Sequence, residues 1–114
     1  MININVDEGY AYDFLAILNV KKNKALNNSQ EAFDVCDEHI KKQVGKELHL
    51  LILNSNEYKS LLKANEETFD AVEKARYGSI SAKEVDNLNM KRYHCKILLQ
   101  NKFFPKTKIL EIKT

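Results

Sequence analysis

The sequence predicts a mainly α fold: a compact bundle of three to four helices with a minor strand pair from the two termini, one domain over residues 1–114. Three observations predict it. Capping signals recur, as Asn28-x-x-Glu31, Asn54-x-x-Glu57 and Ser81-x-x-Glu84, each placing an acceptor three residues before a Glu. Between them apolar residues return three and four apart. At the two ends the pattern changes to alternation, the period of a strand.

The elements follow in order. Residues 2–6, Ile-Asn-Ile-Asn-Val, alternate strictly and predict a strand. Asp7 is placed to cap a first helix, with Glu8 in its first turn where the positive helix end favours an acid. Over residues 8–24, Tyr10, Phe14, Ile17, Leu18 and Lys21 stand at helical spacing. A short loop, Ala25 to Asn28, precedes a second helix from about Ser29 to Val44, with Phe33, Cys36, Ile40 and Val44 on one face and Gly45 as its C′ residue. Leu48 to Leu53 is apolar enough for strand or helix; helix is favoured because the pattern continues through Tyr58, Leu61, Leu62, Phe69 and Val72, with a bend expected near Asn54–Asn56. Gly78 ends that element. The last helix spans about Ala82 to Phe104 and stops at Pro105. Residues 107–113 alternate again and are expected to pair with the first strand.

The last helix is apolar on two sides. Val85, Leu88, Cys95, Leu99 and Phe103 form one stripe; Met90, Tyr93, Ile97 and Phe104 form another. Such a helix packs between neighbours or gives one stripe to a second subunit, so a homodimer is expected.

Composition narrows the classes. Hydrophobic content of 44% and charged content of 30% describe a globular chain, not a disordered one. No apolar run approaches the roughly 20 residues that cross a bilayer, and MININVDEGY has neither the basic nor the apolar region of a signal peptide, so cytoplasmic residence is expected. Two cysteines do not make a disulfide framework. Charge is uneven: residues 1–85 carry 11 basic and 14 acidic side chains, residues 86–114 carry 7 and 2. A basic end with interleaved Tyr93, Phe103 and Phe104 is one way to meet nucleic acid, but on a helix those aromatics more often form core with lysines as the solvated rim.

Catalytic constellations are missing from the pattern. There is no Gly-x-Ser-x-Gly elbow and no glycine-rich phosphate loop; the chain has three glycines. A zinc site from Cys36, His39, His94 and Cys95 is disfavoured because the last two are adjacent and diverge by about 100° on a helix. No metal and no cofactor is expected. What stands out is the placement of the only two arginines. Leu62, Phe69 and Arg76 step by seven, as do Val85, Arg92 and Leu99, so each guanidinium falls on an apolar seam. That is costly unless the charge is paired or grips an anion. Asn65 shares the stepping of Tyr58 and Val72, and Asp13 flanks the apolar face of the first helix. Asp13, Asn65, Arg76 and Arg92 therefore form either a buried network that fixes helix register or, with Lys96 one turn beyond Arg92, an anion pocket for a carboxylate or phosphate.

These residues also carry a resemblance. Gly9-x-x-x-Asp13 with Ile17-Leu18-x-x-Lys21, then Asn65, Phe69, Glu73 and Arg76, then Asn89-x-x-Arg92-x-x-x-Lys96, and a closing Glu111-x-Lys113 resemble the pattern of a family of small uncharacterised helical proteins of bacteria and phages. Tyr10-Ala11 stand where that family usually has Glu-Leu, Phe14 where it has Lys, and Phe69 where it has Trp. The resemblance implies a helical architecture and draws attention to Asp13, Arg76 and Arg92; it implies no reaction. The function expected is a non-enzymatic, self-associating helical interaction protein. The alternatives are a small-anion binding protein or enzyme using Arg76, Arg92 and Lys96, in outline similar to the small helical chorismate mutases, and a nucleic-acid accessory protein using the basic C-terminal segment.

Overall fold

A computed structural model describes residue 2 and residues 4–107. Five helices follow one another: α1 Glu8–Asn23, α2 Ser29–Val44, α3 Lys46–Leu53, α4 Asn56–Arg76 and α5 Ala82–Phe103. The mainly α class therefore holds, with one helix more than expected. The extra helix comes from dividing residues 46–76. Asn54, expected as an N-cap, closes α3 instead, and the Ser55 side chain accepts from the Tyr58 N–H at 3.1 Å to start α4. Residues 48–53 are helical, as the continuing pattern predicted.

Two of the other starts follow the expected chemistry. The Asp7 carboxylate accepts from the Tyr10 N–H at 2.7 Å, and the Ser81 hydroxyl accepts from the Glu84 N–H at 3.2 Å. Asn28 does not follow it. It sits left-handed at φ 50° and makes no side-chain cap. A capping side chain needs a β-region backbone to reach the next turn, and here the α1–α2 loop closes the other way. The Ser29 hydroxyl donates back to the Leu26 and Lys21 carbonyls. Gly45 ends α2 at φ 100° and at once begins α3.

No strand occurs among the described residues. Residues 4–7 form no helix and no ladder, and Ile2 and Ile4 are exposed rather than turned into a core. Alternation marks one-sided burial only where a neighbouring strand supplies the other half of the ladder. The expected second strand falls almost wholly on residues 108–114, outside the described residues.

α4 and α5 form an antiparallel hairpin, fixed by Glu57 to Lys102 and Glu67 to Lys91 along its edge. α1 lies across both, and α2 covers the outer side of α1. The core cluster is Tyr12, Leu15, Ala16, Ile40, Ile52, Tyr58, Leu61 and Leu99, drawn from all five helices. Stripe one of α5 turns to this core, through Leu99 and the half-buried Cys95 and Phe103. No helix is long and apolar enough to cross a membrane.

Candidate functional site

Gly9 determines how closely α1 approaches α5. It is buried, its N–H donates to the Gln100 side-chain carbonyl, and a Cβ there would stand 3.0 Å from Gln100 Oε1 and 3.2 Å from Lys96 Cγ. A bare helix surface lets α5 come near enough for the next turn to matter. Four residues on, Asp13 is 7% exposed. Its Oδ1 accepts from Asn65 Nδ2 at 2.9 Å and its Oδ2 meets Arg92 Nη1 at 3.3 Å. Asn65 also donates to the Leu61 carbonyl at 3.0 Å, which locks its amide toward Asp13. One carboxylate thus joins α1, α4 and α5.

Of the residues singled out by their seam positions, the structure brings together Asp13, Asn65 and Arg92. Lys96 is close by and 2% exposed, with its Nζ 4.9 Å from the Tyr93 ring centre. Arg92 keeps a buried Nε with no hydrogen-bond partner among the described residues. Arg76 is elsewhere. It is the last residue of α4, about three turns beyond Asn65, with its side chain 69% exposed and paired with Glu73 at 3.3 Å. A seven-residue step drifts around a straight helix by about 20° each time. By the last turn of α4 the side chain of Arg76 has reached water.

A second polar network was not signalled by the sequence. Tyr12 Oη lies 2.8 Å from His49 Nδ1, and His49 Nε2 lies 2.7 Å from Asp37 Oδ1. Tyr12 is fully buried and His49 is 1% exposed. A carboxylate only accepts, so His49 Nε2 carries hydrogen; in the neutral ring Nδ1 then accepts from the Tyr12 hydroxyl. Tyr58 stands edge-on to Tyr12, its centroid 6.4 Å away, and its hydroxyl accepts from Asn19 Nδ2 at 3.2 Å. Burial pushes the Tyr58 phenol up to about 12, reinforced by the Asp37 charge. Burial likewise holds the Tyr12 phenol far above its ordinary value, again with Asp37 adding to it. His49 escaped sequence reading because Leu48 to Leu53 reads as a plain apolar run. The available signal was a single His on the buried side of that run.

The Cys and His residues weighed as metal ligands are scattered. Cys36 is half-buried beside the network, and burial with the Asp37 charge pushes its thiol up to about 11. His39 is exposed one turn on, while His94 is exposed on α5. Cys95 packs against the core, its thiol raised chiefly by burial. Among the described residues no group of three or more His, Cys, Asp or Glu is arranged to hold a metal ion. A groove of about 550 Å³ runs between residues 4–8 and the second half of α2, walled by Ile4, Val6, Tyr12, Ile40, Val44 and Phe104. Of the two acids that line it, Glu8 is engaged on both oxygens, by Gln100 and Thr107, and Asp7 caps α1.

The comparisons with known proteins give no match to this chain, neither from protein-family models nor among curated proteins or solved structures.

Proposed function

We propose that this chain is a non-enzymatic helical interaction protein that associates with itself through the outer side of the α1–α5 contact. One observation carries the reading: a run of apolar side chains on that side is left partly open. Tyr10 is 43% exposed and Phe14 49%. They follow Gly9 and Asp13 by one residue. On α5, the half-buried Tyr93 and Ile97 follow Arg92 and Lys96 by one residue. The helices run antiparallel here, since Gly9 meets Gln100 and Asp13 meets Arg92. In an antiparallel pair, residues one step on from the contact fall on the same side of both helices. Tyr10, Phe14, Tyr93 and Ile97 therefore share one surface, which takes in the middle of the second apolar stripe of α5, while Phe104 of that stripe turns to the core. Contiguous exposed apolar surface of this kind marks an association site, and a second copy of the chain is the partner always present at matching concentration. The resemblance to small helical proteins of bacteria and phages is part of the same proposal.

Sedimentation equilibrium of the full chain tests it. A dimer is expected at tens of micromolar, weakened at least tenfold by Phe14→Glu, whose half-exposed position leaves the fold intact by circular dichroism. A wild-type chain monomeric throughout that range removes the reading.

A second reading rests on Arg92. Its buried Nε, without a hydrogen-bond partner among the described residues, and the neighbouring Lys96 support a site for a small anion, a phosphate or carboxylate. Stabilisation by inorganic phosphate or a dicarboxylate in a thermal-shift assay, lost in Arg92→Ala, would favour this reading over self-association.

A further inference from the structure

α3 is the shortest helix of the bundle, eight residues between two breaks. On one side stands Gly45 at φ 100°, with nothing within 4 Å of where a Cβ would be. On the other, Asn54 closes α3 and Ser55 restarts the chain as α4. Its inward face supplies two fully buried side chains, His49 and Ile52, while Leu50 and Leu51 on the outside are 47% and 61% exposed. Among the described residues, the side-chain hydrogen bonds that join α3 to other helices both belong to His49: one reaches Tyr12 on α1, the other Asp37 on α2.

We propose that α3 is a hinged strap, latched by His49 to Tyr12 and Asp37, which opens as a unit while the rest of the bundle stays folded. Segments open locally when few buried contacts hold them and a flexible joint bounds them. Gly45 supplies such a joint, because its positive φ lies where a residue without Cβ moves freely and a Cβ there would meet nothing within 4 Å. The latch is strong but narrow. Opening carries His49 away and leaves the Tyr12 hydroxyl without that partner in the core, so closure is favoured, yet Asp37 has a side chain 29% exposed, where water competes for the carboxylate. Opening has a structural consequence. Tyr12 and Ile40 wall the groove beside α2 and also belong to the core cluster with Ile52. Lifting α3 takes Ile52 out of that cluster and joins the groove to the core behind it.

Native-state hydrogen exchange of the full chain, read residue by residue at neutral pH, tests the strap. Amides of residues 49–54 are expected to exchange at least tenfold faster than those at the centres of α4 and α5. Asp37→Ala should accelerate the α3 amides at least tenfold more and leave α4 and α5 unchanged. Asp37→Asn, which keeps an acceptor for His49 Nε2–H, should stay within threefold of the wild type. Equal protection of α3 and α4 in the wild type overturns the proposal. So does a uniform acceleration of all helices by Asp37→Ala, or equal acceleration of α3 by the Asn and Ala variants.

Discussion

Tyr12 and Asp13 are neighbours in sequence, and each anchors a polar network to different helices. Asp13 turns to α4 and α5, where it meets Asn65 and Arg92. Tyr12 turns to α3 and through His49 to α2, ending at Asp37. Adjacent residues on a helix point about 100° apart, so two consecutive side chains divide the bundle between them. The networks differ in kind. The Asp13 network joins a nearly buried carboxylate to a guanidinium and owes its strength to charge. The Tyr12 network joins a phenol, an imidazole and a partly exposed carboxylate, with only Asp37 near water. A charged pair is costly to break from one side, because the orphaned charge stays behind. A neutral hydrogen bond is cheaper to lose.

This difference sets the order of the expected effects. Asp13→Ala should be the largest, destabilising the chain by about 3 kcal/mol, since Arg92 and Asn65 both lose their buried acceptor and the Arg92 side chain is only a quarter exposed. Urea unfolding with an unchanged slope would measure it; a loss below about 1 kcal/mol would mean that Arg92 reaches water freely, and the contrast between the networks would fail. Tyr12→Phe should cost less, about 2 kcal/mol, by leaving His49 Nδ1 unsatisfied in a place 1% exposed. If the two variants cost the same, charge is not what separates the networks.

The Tyr12 region also predicts a pH dependence. Tyr58 ionises in the folded chain near 12, against an ordinary value of 10, and Tyr12 is raised in the same direction. A raised folded value favours the folded state fully below pH 10, and that stability is lost as pH climbs from 10 through 12. Two of the five tyrosines should therefore stay protonated in an absorbance titration until the chain unfolds in alkali. Ionisation of all five together near pH 10 in the folded protein would refute the burial argument.

The networks differed in legibility for a physical reason. Asp13, Asn65 and Arg92 break an apolar period, so a charge or amide at a seam position announces itself. His49 breaks nothing visible. It stands in Leu48–Leu53, a run too short for periodicity to choose a face, and its partners lie 37 and 12 residues away. The caps show the same limit. Asp7 and Ser81 acted as their residue types predict, because a local bond decides a cap. Asn54 yielded to Ser55 because the bend between α3 and α4 depends on where Ile52 and Tyr58 must both reach the core. Arg76 matched Arg92 in spacing, yet among the described residues Arg92 meets Asp13 on another helix and Arg76 pairs with Glu73 on its own. Periodicity assigns a face; what stands opposite that face is decided by tertiary packing.

The smallest expected effect sharpens the comparison by stabilising a region that neither network touches. Gly45 and Gly78 take the positive-φ positions after α2 and α4, at 100° and 74°. After α1 the corresponding turn holds Ala25 at φ 53° and Asn28 at φ 50°. A Cβ at positive φ crowds the following carbonyl at a cost of about 1 kcal/mol, which glycine avoids while giving back part of it as lost unfolded-state restriction. Ala25 is exposed, so nothing is lost from the core by removing its methyl. Ala25→Gly should therefore stabilise the chain by about 0.5 kcal/mol, seen as a small rise in urea midpoint. In that background the costs of Asp13→Ala and Tyr12→Phe should be the same as in the wild type, because distant sites add. A changed cost for Tyr12→Phe alone would reveal that the α1–α2 turn positions Asp37, and so that the two networks are not equally separate from the loop that joins their helices.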